Sequence, residues 1–178
     1  MISAMCLTEA VDDLAKTFFD GILRPNDTGY GDARKVHNGL IDKRPAVIAR
    51  CRGLADITDA VKMARDQKLE VAVRGGGHNV AGRSTIEGGM IDLSPMTGIH
   101  VDLACEARAQ GGLTWNLFNR ETQIYWLATT GGAVSTTGIG GLTVGGGLGW
   151  LMGKHALALD NLISADVVLA DGRGRDCQ

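Results

Sequence analysis

Between Pro45 and Asn79 the chain spells out a strand, a helix and a second strand, and then sheds its side chains. PAVIARC, from Pro45 to Cys51, is a short apolar run with the branched residues that strands favour. Leu54 to Lys68 is amphipathic, with Leu54, Ile57, Val61 and Ala64 on one face. Its early charges are Asp56 and Asp59 and its late ones Lys62, Arg65 and Lys68, as the helix dipole prefers. EVAVR, Glu70 to Arg74, is the second strand. Joints this short predict a right-handed βαβ unit with parallel strands. RGGGHN then leaves the C-terminal end of a parallel strand, the edge where open α/β sheets hold ligands.

The flanking sequence reads differently on each side. Upstream, Thr8 to Leu23 has helical spacing through Val11, Leu14, Phe18 and Ile22, with Thr8 as cap. LRPNDTGYGD is a loop, and Asp32 to His37 is a short helix ended by Asn38-Gly39. Downstream, GGMIDLS, GIHVDLACEARAQGG and LISADVVLADGRGRD read as strands joined by tight turns, interrupted by one helix, Trp115 to Thr122. A βαβ lobe followed by a more antiparallel β lobe predicts an α+β fold of two packed lobes. Residues 1–40 form a helical lead-in and 41–178 the domain proper. DGRG is a hairpin turn whose return strand has only four residues before the chain stops. This predicts a longer protein cut at this point, or a partner that supplies a strand; a frayed end is the plain alternative.

Glycine is the compositional outlier, at 26 of 178 residues with only 3 prolines, so the glycines mark special backbone rather than low complexity. A net charge of −2 and 4% aromatic residues exclude an electrostatic or stacking platform for nucleic acid, and an anionic membrane has no pull on the chain. Cys6, Cys51, Cys105 and Cys177 form no CxxC pair and read as reduced thiols of a cytoplasmic protein. His37, His78, His100 and His155 lack metal-ligand spacing. The N-terminus has no signal-peptide pattern, and no apolar run has membrane-spanning length.

Two stretches concentrate the glycines: RGGGHN and TTGGAVSTTGIGGLTVGGGLGW, Thr129 to Trp150. Consecutive glycines let main-chain N–H groups converge on an anion. Neither familiar nucleotide motif fits. Gly153-Lys154 is followed by His155, and Leu148 stands where a P-loop needs its first glycine. A GxGxxG fingerprint would need glycine at Thr143, Trp150 or Val80. The residues alone point to a phosphate-bearing cofactor and leave open a generic nucleotide module.

VRGGGHNVAG is similar to the histidine-bearing phosphate loop of flavoenzymes in the vanillyl-alcohol oxidase superfamily. With RPAVIARCRGLADITDAVKMARDQKLEVAVRGGGHN, GGMIDLSPMTGIHVD and GIGGLTVGGGLGWLMGKHALALDNLISADVVLADG in that order, the chain most resembles the berberine-bridge-enzyme and 6-hydroxynicotine-oxidase branch. The resemblance runs from about Tyr30 to the end. It implies a PCMH-type FAD-binding domain with FAD between its two lobes. Arg74, Gly75, Gly76, Gly77, His78 and Asn79 would form the pyrophosphate loop. Gly138, Gly140, Gly141 and Gly145 would lie along the flavin, and Val167 and Val168 near the adenine. His78 matches the residue bonded through Nδ1 to the flavin 8α-methyl carbon. The implied activity is hydride transfer from a small organic substrate to flavin N5, with oxygen as acceptor.

Two departures matter. Many relatives carry a second link through a cysteine in GxCxxxGxGG; here the stretch is GAVSTTGIGG, with Val134 at that position. Attachment is therefore expected at His78 only. Full relatives also carry a substrate domain that this sequence lacks. No catalytic acid or base and no metal site is assigned; Tyr125, Trp126 and His155 read as packing or rim residues, and His100 as a solvated strand residue. The alternative is a truncated, non-catalytic module that needs a missing domain, a partner or a homo-oligomer to hold flavin.

Overall fold

The computed structural model describes residues 4–19, 21–102 and 104–177. Its elements are α1 (Ala4–Ala15), β1 (Ile22–Leu23), α2 (Tyr30–Ala33), β2 (Val47–Arg50), α3 (Leu54–Asp66), β3 (Val71–Arg74) and β4 (Gly89–Asp92), followed by β5 (Ile99–Asp102), β6 (Glu106–Ala109), α4 (Trp115–Thr122), α5 (Ile139–Val144), α6 (Met152–His155), β7 (Ala165–Val168) and β8 (Gly174–Cys177). The fold is α+β, with a mixed sheet first and antiparallel hairpins after it.

The first lobe is a four-stranded sheet in the order β1-β2-β4-β3. β2 and β3 are parallel, as expected of a strand–helix–strand unit, but each pairs with β4 rather than with the other. GGMIDLS thus belongs to the parallel sheet, not to the antiparallel lobe. The reason lies in its side chains: all four residues of β4 are buried, which suits a central strand with covered faces. α1, the turn after it and α3 cover one face, packing Leu14, Phe18 and Ala60 on Ala49 and Ile91 of the sheet. Tyr30 covers the other with Ile48 and Met90, and its hydroxyl donates to Pro45 O at 2.7 Å.

Upstream the expected helix to Leu23 is corrected. α1 ends at Ala15, where Lys16 and Thr17 N–H turn back to Asp13 and Leu14 carbonyls. Phe18 and Ile22 still reach the same apolar cluster as Leu14, but through a turn and a strand that pairs Ile22 with Ala49. Periodic burial survived while the backbone path changed. The short helix expected from Asp32 to His37 lies earlier, at Tyr30–Ala33.

The second lobe holds the hairpins β5–β6 and β7–β8, each antiparallel. β8 is a full return strand, in register from Val168↔Gly174 to Ala165↔Cys177. Its core is Leu113, Trp115, Phe118, Ile139 and Ala158. Trp115–Thr122 is helical as expected, but α5 joins it inside the glycine-rich stretch and α6 just after that stretch.

Candidate functional site

Two glycine loops meet main chain to main chain. A Cβ on Gly76 would fall 2.2 Å from Gly138 N, and one on Gly138 would fall 2.3 Å from Gly76 N. No side chain fits at either position. Gly75 and Gly140 close on a third segment: Cβ atoms there would lie 3.1 and 3.3 Å from the carbonyl oxygen of Gly111. Gly77 adopts φ +69°, a left-handed turn that glycine tolerates and that reverses the loop after β3. Gly141 faces open space, and Gly145 is an exposed C-terminal residue of the α5 turn.

The loop leaves its donors free. Among the described residues, no acceptor takes a hydrogen bond from the main-chain N–H of Gly75, Gly76, Gly77, His78 or Asn79. Unpaired N–H groups on successive loop residues form an anion-binding concavity. Asn79 locks the exit: its Oδ1 accepts from Ala81 and Arg83 N–H, both at 3.1 Å.

His78 spans the junction. Its Nε2 lies 2.8 Å from Thr136 Oγ1, and its Nδ1 3.4 Å from Thr137 Oγ1, two residues that lead into Gly138. Its ring stacks on His37, with centroids 4.0 Å apart and planes 16° apart. Burial, aided by the positive charge His37 can carry, holds the His78 pKa below the usual imidazole value. Both influences favour the neutral imidazole.

Arg74 contributes its backbone to the loop, but its side chain turns back. Its guanidinium donates to Ala33 O at 2.8 Å and lies 3.7 Å from buried Asp92, which Arg50 approaches to 3.6 Å from the other side. Ser94 completes the carboxylate's shell through its N–H and hydroxyl. These residues end β2, β3 and β4 in one row and line a cleft of about 360 Å³ shared with Leu23, Thr28 and Asp32.

A family model described as FAD binding domain matches residues 45–178. The chain belongs to that family of FAD-binding domains. (R)-6-hydroxynicotine oxidase of Paenarthrobacter nicotinovorans is 37% identical over 153 residues, covering 85% of this chain and 33% of that protein. An FAD-linked oxidoreductase of Aspergillus terreus, pgmH, is 45% identical over 120 residues, 66% of this chain and 24% of that protein. Among solved structures, 6-hydroxy-D-nicotine oxidase from Arthrobacter nicotinovorans superposes with a TM-score of 0.87 at 35% identity, over 90% of this chain and 36% of that one. A berberine-bridge-like protein of Physcomitrella patens shares the fold at a TM-score of 0.87 and 23% identity, over 96% of this chain and 37% of that one. The chain spans about a third of the length of the relative from Paenarthrobacter. It is an FAD-binding domain, and FAD is its cofactor.

The FAD-binding domain's residues suit that cofactor. The paired loops offer free N–H donors to a diphosphate, a bare main chain at Gly141, and an imidazole held toward its neutral form beside them. Val167 and Val168 stand apart: they belong to the β7–β8 hairpin, which packs on α3, and Val167 lines a second cleft with Leu54 and Arg175. Tyr125, Trp126 and His155 are exposed, and His100 is exposed on β5 opposite Arg108. Sequence reasoning missed Thr136, Thr137, His37 and Gly111. The threonines sit in the glycine stretch beside Gly138, which is a signal. Nothing in the sequence ties His37 to His78.

Proposed function

We propose that this chain is the FAD-holding part of an oxidoreductase acting on a small organic substrate, with the flavin bonded to His78. The single observation that carries this reading is the Gly76–Gly138 contact, which brings both glycine loops and His78 to one place. FAD supplies the hydride acceptor at N5 and passes the electrons on to oxygen. The N–H groups of Gly75, Gly76, Gly77, His78 and Asn79 hold the diphosphate; Gly138 and Gly140 seat the glycine stretch on Gly76 and Gly111, so that Gly141 and Gly145 lie along the flavin. Val167 and Val168 border the adenine. His78 supplies Nδ1 as nucleophile, and Val134 at the second attachment position cannot form a bond.

The substrate side comes from chain beyond these residues, from a partner, or from a second copy. Exposed apolar side chains of the glycine-rich lobe, Trp126, Val144, Leu148 and Trp150, support such a cover. A cytoplasmic setting is supported by four free cysteines, among them Cys51, whose thiol burial pushes up to about 12.

Incubation with FAD followed by acid precipitation tests the proposal. A yellow pellet from the parent chain and a colourless one from His78→Ala are expected. Acid-stable colour in His78→Ala moves the attachment elsewhere, and a chain that takes up no FAD ends the reading.

A further inference from the structure

His78 is held from two sides, and only one of them is a glycine loop. Thr136 and Thr137 close one edge of the ring. The face is covered by His37, which comes from the segment after α2 and whose main-chain N–H donates to Gly77 O at 3.0 Å. The His37 backbone is thus pinned to the residue preceding His78, and its ring lies nearly parallel at 4.0 Å. We infer that His37 is a positioning residue for flavin attachment: it fixes the His78 ring plane and sets a second imidazole against that ring, an inference that rests on attachment at His78.

Attachment needs the tautomer with the proton on Nε2 and the lone pair on Nδ1, and the Thr136 hydroxyl 2.8 Å from Nε2 can serve that tautomer as acceptor. The 3.4 Å approach of the Thr137 hydroxyl to Nδ1 is long for a hydrogen bond and is readily given up. Burial works against a charge on the His78 ring, and so does a positive charge on His37, stacked 4.0 Å away. The titratable group facing His78 is His37, stacked on its ring. No carboxylate is among the causes of the lowered His78 pKa.

Attachment forms the Nδ1–C8α bond and breaks one methyl C–H bond. The methyl proton and the imidazole N–H proton are released, and both electrons of the C–H bond reduce the flavin. Dioxygen then takes two electrons and two protons to give hydrogen peroxide. A protonated His78 has no lone pair to start this step.

The test compares the parent chain with His37→Ala and His37→Phe. Each is incubated aerobically with FAD at about pH 6 and about pH 8, either side of the usual imidazole value, and acid-stable flavin fluorescence is followed on denaturing gels. His37→Ala loses ring support and slows attachment about tenfold or more at both pH values. His37→Phe keeps a stacked ring without the charge, so it matches the parent at the higher pH and lags at the lower one. An NMR titration of the His78 imidazole without flavin shows a higher pKa in His37→Phe than in the parent. Equal attachment rates in all three chains, or an unmoved His78 titration, overturn the role of His37 and leave attachment standing. A parent chain with no acid-stable flavin overturns both. If His37→Ala does not fold, His37→Phe and the titration still decide.

Discussion

The central strands β2 and β4 and the glycine-rich chain from 144 to 150 treat their large apolar residues in opposite ways. Ile48 and Met90 are 0% and 1% exposed, whereas Val144 and Trp150 are 71% and 88% exposed. The sheet lobe takes its shape from side chains packed on both faces of β4. Much of the glycine-rich lobe takes its shape from places where main chains touch because a side chain is missing. The first arrangement is self-sufficient. The second spends few apolar groups on itself and leaves them for whatever lies against it.

The largest effect that could break this contrast comes from one atom group at the junction. Gly138→Val places carbon within about 2.3 Å of Gly76 N, so the loops must part. FAD binding, followed by flavin fluorescence quenching, is expected to vanish while the far-ultraviolet circular dichroism of the chain persists. Parent-like affinity in this variant refutes the convergence of the two loops.

Next comes the packing itself. Ile48→Ala should cost about 2–5 kcal/mol in urea unfolding, through lost transfer energy plus a cavity. Asp92→Asn should cost about 1–3 kcal/mol, since Arg50 and Arg74 lose their buried partner. It should also weaken FAD binding, because Arg74 begins the phosphate loop. Trp150→Ser sharpens the comparison from the other lobe: a change within about 0.5 kcal/mol is expected for so exposed a residue. Equal losses for Ile48→Ala and Trp150→Ser would erase the distinction between the lobes.

The smallest effect is a pH slope. His78 has a lower pKa folded than unfolded, so the unfolded state binds its proton first as pH falls. Its contribution to stability is complete above about pH 6.5 and declines as pH falls through the folded value. Unfolding curves of the parent minus those of His78→Gln should show stability rising with pH in that window. A difference of the opposite sign contradicts the neutral, half-buried ring.

The helix periods were readable because they depend on neighbours in sequence. Leu54 to Lys68 matches α3 to within its last turn, and Trp115 to Thr122 matches α4. Strand order depends on which faces find cover, and that is settled by partners far along the chain. Met90 and Ile91 are buried on opposite faces of β4, and the unbroken MIDL run was the available clue. Ile22 shows the converse: its spacing after Phe18 is helical, but it meets the core as a strand residue. Of the site, the RGGGHN loop and Gly138 were legible as bare backbone. Thr136 and His37 were not, because a hydroxyl and an imidazole acquire their roles only where the folded chain brings them.

Arg74 and Gly77 anchor to atoms that precede the family's matched span, which starts at residue 45. The Ala33 carbonyl holds the guanidinium, the His37 amide holds the Gly77 carbonyl, and β1 borders β2. A flavin module trimmed to the matched span would keep every glycine of the two loops yet lose the footing of its cradle. Cuts meant to yield a minimal portable unit belong ahead of Ile22.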